Sequence, residues 1–177
     1  KAKLNDDIYV TGNLGDSFVG LKILKNKIKL RKKANNYFIN KYYCPDIQIS
    51  LAKKLLKFAN TSIDISDGLI ADLDKMLNNL NCSYQIYEDK IPISKYLSEL
   101  IKKKKLKKSK LISNGDDYQI LFTASTSKSR IIQRTSRILD IKITKIGKII
   151  SGKKKSSILD QKGKQILLKN KGYIHQF

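Results

Sequence analysis

The 177-residue chain has no tryptophan, one methionine, two prolines, two cysteines and one histidine. Each scarcity closes something off. The single histidine, His175, has nothing with which to form a catalytic triad, and a lone histidine reads as structural. Cys44 and Cys82 are far apart and match no metal-ligand spacing. They read as free thiols of a reducing cytoplasm, with no disulfide expected between them. No apolar run approaches the roughly 18 residues that a membrane span requires. No signal-peptide pattern is present, and a first residue of lysine suggests a processed, truncated or fragmentary chain. Arginine stands only at Arg31, Arg130, Arg134 and Arg137, although direct base and phosphate readers lean on its bidentate fork.

What is present is lysine, in a chain of net charge +22, with 41% hydrophobic residues. That hydrophobic share describes a globular domain, and the length suits one domain with a real core. The charge taken alone favours an anionic partner. Its quality argues otherwise: the lysines are scattered through the chain instead of forming one stripe. Lysine, isoleucine and asparagine abound together, as they do when a genome is rich in A and T. Compositional drift is the leading explanation, and nucleic-acid binding is the runner-up.

In chain order, Ile8–Thr11 is a β-branched, aromatic run that predicts a strand. The break at Gly12-Asn13-Leu14-Gly15 leads to a helix capped by Asp16 or Ser17 and running through Leu24. Strand, glycine turn and helix outline a phosphate cradle, but neither the P-loop nor the dinucleotide spacing is met. Residues 25–33 read as a solvated basic loop or helix tail, and 35–43 as an aromatic-rich stretch ended by Pro45. Ile47, Leu51, Leu55 and Phe58 give one apolar helix face. Ser62–Ile65 predicts a strand and Tyr84–Tyr87 another. Ser94 caps a helix through Ile101, followed by a lysine run read as a surface loop. Tyr118–Thr123 is a strand, and Ser127 or Ser129 caps a helix to Leu139. Ile141–Ile149 is a strand bulged at Lys145. Ser157–Leu159 and Gln165–Leu168 form a hairpin around Gly163. This order predicts α/β: a mixed β-sheet with packed helices in a single domain, 1–177.

The chemistry concentrates in Thr61–Leu73, TSIDISDGLIADL. Asp64 and Asp67 stand three residues apart before Leu69, Ile70, Leu73, Leu77 and Leu80, so a helix is expected to start near Ser66 or Asp67. Exposed N–H groups at that end would attract phosphate, and carboxylates beside it would hold Mg²⁺, which takes hard oxygen ligands. An ordinary Asp-capped helix explains the same letters. A second acidic pair, Asp116-Asp117, follows Asn114-Gly115 at a strand entrance; a hairpin turn with solvated acids is the plain alternative.

Four stretches taken together resemble one family. SIDISDGLIADL resembles the Asp-x-Ser-Asp-Gly-Leu segment of the thiamine-monophosphate kinases, of the aminoimidazole ribonucleotide synthetase superfamily. DDIYVTGNLGDSFVGLKIL, NGDDYQILF and GYIHQF resemble that family's GDxIYVTGxxGDSAAGLxLL, GGEDYELLF and GYDHF, in the same order. The resemblance covers only the family's C-terminal half. It implies the C-terminal domain of the aminoimidazole ribonucleotide synthetase fold, without the N-terminal metal/ATP domain, which also carries the dimer interface of a full-length homodimer.

It further implies Mg²⁺ at Asp64 and Asp67, ATP phosphates at Ser66, and thiamine phosphate at Asp116, Tyr173 and Asn170, with ATP as co-substrate and Tyr173 stacking on the thiazolium. The chain departs from the pattern at Asp116 and Gln119, where the family has glutamates, and at Asn114, where it has glycine. It departs again at Ile47 and Gln48, where a proline and an arginine are missing. The expectation is a cytoplasmic kinase, inactive without its other half. A sister activity of the superfamily, such as purine-pathway ligation or selenophosphate synthesis, fits the NGDDYQILF and GYIHQF signatures less well. A basic nucleic-acid-binding module has no recognisable motif here.

Overall fold

A computed structural model describes residues 1–103, 106–168 and 170–173. Its centre is β1 (Asp7–Thr11), every residue of which is buried. Alternation along this strand feeds two cores. Ile8 and Val10 join Leu69, Leu73, Leu121 and Ile146 on one face of the sheet. Tyr9 points to the other face, where it stacks on Phe122 with ring centroids 5.2 Å apart and packs with Leu51 and Ile132.

The remaining strands are β2 (Thr61–Asp64), β3 (Cys82–Tyr87), β4 (Ile120–Ala124), β5 (Ile143–Ser151) and β6 (Ser157–Leu159), and the sheet order is β2-β4-β1-β5-β3-β6. All pairs are antiparallel except β3 with β6. The sheet is mixed and carries packed helices, as expected. The anticipated bulge is real: Ile8 pairs with Gly147 and Tyr9 with Lys145, so one residue of β5 is skipped next to Lys145.

The helices are α1 (Asp16–Leu24), α2 (Lys32–Tyr43), α3 (Ile49–Leu55), α4 (Leu69–Met76), α5 (Lys95–Lys102), α6 (Lys108–Leu111) and α7 (Ser129–Leu139). Ser94 caps α5 as expected, its hydroxyl accepting from Leu97 N at 3.1 Å. Three starts differ from the sequence reading. Helix α7 begins after Lys128, with no side-chain cap from Ser127 or Ser129. Helix α1 begins after Gly15, at φ 88°, and not after an Asp16 or Ser17 cap. Helix α4 begins after Gly68, beyond both expected cap residues. The free amides at the start of α1 find their acceptor elsewhere in the chain, at Asp117, and those at the start of α4 find theirs within the helix, at Asp72. Helix α6 lies just beyond the lysine run read as loop, where no element was expected; its apolar anchor, Leu111, is buried against α1 and α5 neighbours, a signal too short for periodicity to register. Cys44 and Cys82 are free thiols. None of the described helices is long and apolar enough to cross a membrane.

Candidate active site

Strand β2 ends at Asp64, and the loop Ile65–Gly68 turns the chain into α4. The segment 114–119 holds this loop from one side. Ile65 N donates to Gln119 O at 2.9 Å, Tyr118 N to Ile65 O at 2.9 Å, and Asp116 N to Ser66 O at 3.0 Å. The approach requires glycine: a Cβ on Gly115 would sit 1.8 Å from the Ser66 carbonyl oxygen. Asp116 and Tyr118 have φ of 66° and 50°, conformations that persist because these hydrogen bonds determine them.

The segment 171–173 holds the loop from the other side. Ala71 N donates to Lys171 O at 3.1 Å and Tyr173 N to Asp67 O at 2.9 Å. Gly172 lies where a Cβ would be 2.3 Å from the Ala71 Cβ. Lys171 also pairs with Asp74 at 2.8 Å. Three segments far apart in sequence thus meet at Asp67. Asp64 is exposed, Ser66, Asp67 and Asp116 are half-buried, and Tyr173 is 66% exposed. Asn170, the other expected substrate residue, is exposed on the same terminal segment, whereas His175 lies outside the described residues. Burial first, and then the charge of Asp67, push the Asp116 carboxyl up from its usual range.

At both helix starts that pointed to phosphate, a buried carboxyl already takes backbone amides. At the second, Asp72 Oδ2 accepts from Ser66 N at 3.0 Å, Asp67 N at 2.9 Å and Gly68 N at 3.0 Å. The expectation of exposed N–H groups at the start of α4 is therefore corrected: a side chain from inside the helix takes them. Asp72, which the sequence reading did not single out, is 0% exposed. Its place four residues after Gly68 is the signal that was available. Its other oxygen, Oδ1, is 3.0 Å from Lys75 Nζ, and the same ammonium pairs with Asp67. Hydrogen bonds to Asp67 and then to Asp72 raise the lysine above its usual value.

At the first loop, Asp117 Oδ2 accepts from Gly15 N at 2.8 Å, and Ser17 N adds a second backbone bond. Burial pushes the Asp117 carboxyl up to about 8 against these donors. Asp16 beside it accepts from Tyr37 Oη at 2.8 Å and Ser94 Oγ at 2.7 Å, and burial raises it too. The cavity against this pair, also lined by Lys41 and Gln119, measures about 60 Å³, room for a few waters and not for a nucleotide. Gln119, where a glutamate was anticipated, is absorbed in structure. Its Oε1 accepts from Thr11 Oγ1 at 2.8 Å and its Nε2 donates to Asp46 O at 3.1 Å.

The donor set at the open loop suits Mg²⁺, which keeps several waters and takes one or two carboxylates beside substrate phosphates. Asp64 and Asp67 are the residues that could supply those carboxylates. Among the described residues no three acidic, histidine or cysteine side chains gather that would hold a metal alone, so substrate oxygens or further protein groups would complete the shell.

Set beside known proteins, the chain is 39% identical over 175 residues to the thiamine-monophosphate kinase of Buchnera aphidicola subsp. Schizaphis graminum, spanning 98% of this chain and 54% of that protein. Its identity to the thiamine-monophosphate kinase of Escherichia coli K12 is 32% over 175 residues, spanning 98% and 53%. Among solved structures, the thiamine-monophosphate kinase of Stenotrophomonas maltophilia K279a superposes at TM-score 0.80 with 27% identity, covering 94% of this chain and 52% of that one. AaThiL, complexed with AMPPCP and TMP, gives TM-score 0.78 with 28% identity over 98% and 52%. Escherichia coli HypE, a hydrogenase maturation protein, shares the fold at TM-score 0.73 and 14% identity, covering 96% of this chain and 51% of that one. No family model matches the chain. The chain spans about half the length of the relatives it matches.

Proposed function

A relative of the thiamine-monophosphate kinases over nearly all of its own length, this chain is, we propose, the C-terminal half of such an enzyme. The proposed reaction takes ATP and thiamine phosphate to ADP and thiamine diphosphate. An oxygen of the thiamine phosphate bonds to the γ-phosphorus of ATP as the bond from that phosphorus to the β,γ-bridging oxygen breaks. The acceptor is already ionised near neutral pH, so positioning and charge neutralisation carry the step and no general base is required.

The observation that carries this reading is the meeting of three segments at Asp67, through Asp116 N on Ser66 O and Tyr173 N on Asp67 O. It brings the metal, nucleotide and substrate candidates onto one open surface. Asp64 and Asp67 are the proposed Mg²⁺ ligands, and Mg²⁺ when bound would neutralise charge as two phosphates approach. With the loop amides taken by Asp72, Ser66 acts through its hydroxyl, donating to nucleotide phosphate oxygens. Asp116 faces the cationic thiamine, and the exposed ring of Tyr173 covers the thiazolium in a cation–π contact, with Asn170 beside it. AaThiL was solved with AMPPCP, an ATP analogue, and TMP, which supports ATP and thiamine phosphate as the ligand pair. The N-terminal half, a homodimer of the full-length protein and a cytoplasmic setting belong to the same proposal.

The test uses the native gene product with all coding sequence that precedes Lys1. Incubated with Mg-ATP and thiamine phosphate, it should form thiamine diphosphate, and Asp67→Asn should lower the rate by at least roughly 100-fold. No product from the intact protein would sink the kinase reading.

A further inference from the structure

Lys75 joins two acids of different character. Asp72 is fixed: its carboxylate is 0% exposed and one oxygen is held by three backbone amides. Asp67 lies in the open loop, half-buried, beside exposed Asp64 and half-buried Asp116. The lysine side chain is 51% exposed, so it can swing. Its ammonium therefore has one permanent anchor at Asp72 and a second contact on a carboxylate proposed to take a divalent cation. A carboxylate oxygen engaged by an ammonium must release it before that oxygen can enter a metal shell.

We propose that Lys75 is a tethered counter-ion for Asp67: it stands in for the divalent cation in the unliganded protein, competes with it, and is displaced onto Asp72 when the cation binds. The proposal rests on the metal role given to Asp67 above. The physical logic is mutual repulsion. Asp116 is held against the Asp67 loop by its N–H on Ser66 O, and without a cation the two carboxylates would leave uncompensated negative charge there. A lysine held in place by the buried Asp72 supplies positive charge before the metal arrives, at the expense of metal affinity. The effect is a lower affinity of the empty site for divalent cations, set by a residue that is not itself a ligand.

The test is Mn²⁺ titration of the full-length native protein without nucleotide, followed by the electron paramagnetic resonance signal of free Mn²⁺. Lys75→Met keeps the stem and removes the charge. It should tighten Mn²⁺ binding about two- to five-fold, the range an exposed ion pair supplies, and raising the salt should shrink the difference. Lys75→Arg keeps the charge and should stay near the wild type. In an Asp67→Asn background, Lys75→Met should change nothing. Unchanged or weaker Mn²⁺ binding by Lys75→Met, or a gain that survives Asp67→Asn, would overturn the proposal. The outcome is separable from the kinase reading. A protein that makes no thiamine diphosphate yet shows the Asp67-dependent gain keeps the counter-ion and loses the kinase; an active kinase with no gain does the reverse.

Discussion

Two buried aspartates do the same local job in this fold and leave different surroundings behind. Asp117 takes the amides of Gly15 and Ser17 at the start of α1, and Asp72 takes those of Ser66, Asp67 and Gly68 at the start of α4. Each carboxylate settles the orphan donors of a helix end. Around Asp117 the chain closes: Asp16, Tyr37, Ser94 and Gln119 fill the space, and only a small cavity remains. Around Asp72 it opens, because the second oxygen faces Lys75 and, through it, Asp67 at the surface. A loop that looks like a phosphate cradle is thus no guide to function by itself. What separates the two is whether side chains beyond the satisfied amides still reach solvent.

If that comparison holds, the two loops should break differently. The largest effect is expected from Asp72→Ala. Three amides lose a buried charged acceptor at once, and each unmet donor carries a penalty of about 1–3 kcal/mol before relaxation. A loss of about 3–5 kcal/mol in unfolding free energy by urea titration is the expectation, with Asp72→Asn costing about half because its carbonyl still accepts without charge. A loss below about 1 kcal/mol for the alanine variant would mean the amides find other acceptors. Next is Gly115→Ala, whose methyl would meet the Ser66 carbonyl oxygen at 1.8 Å and the Ser66 carbonyl carbon at 2.5 Å. Both are backbone atoms, so the segments must part, at about 1–3 kcal/mol. The contrast is Gly12→Ala in the closed region, which meets the amide end of Gln119. The clash there is with a side-chain end, so the cost should come chiefly from an alanine at φ 56°, about 1 kcal/mol, and stay the smaller of the two. Equal losses at the two glycines would erase the distinction.

Most of the skeleton was legible because its signals are local. A β-branched, aromatic run marked β1, alternation marked β5 with the irregularity beside Lys145, and the Ser94 cap marked α5. The acids of the TSIDISDGL stretch and the pair after Asn114 stood out by spacing. Their assembly did not, because it rests on pairings between residues about 50 and 100 positions apart, such as Asp116 N with Ser66 O and Tyr173 N with Asp67 O. Asp72 was not singled out, and Asp117 was open to a reading as a solvated acid, for the same reason. An acid in a helix, or one of two acids at a turn, looks solvated until the chain that buries it is known. Gly172 offered no local reason to be glycine; only the packing of the terminal segment onto Ala71 supplies one.

The effect that tests the closed region alone is spread along the pH axis. Asp117 has its folded value pushed up to about 8 by burial, while an unfolded aspartate titrates near 4. Between those limits the folded state holds a proton that the unfolded state has released, so this group makes stability fall as pH rises from about 4 to about 8. The slope is at most about 1.4 kcal/mol per pH unit for one proton. Asp117→Asn keeps an oxygen for Gly15 N and cannot titrate. Asp16, whose carboxyl burial also raises, is present in both proteins, so the difference reports Asp117 together with its coupling to Asp16. Urea midpoints at pH 5, 6, 7 and 8 should therefore show the asparagine variant gaining on the wild type at each step. Parallel profiles would mean that Asp117 is ionised throughout, and that two backbone amides are enough to hold a buried carboxylate in its charged form.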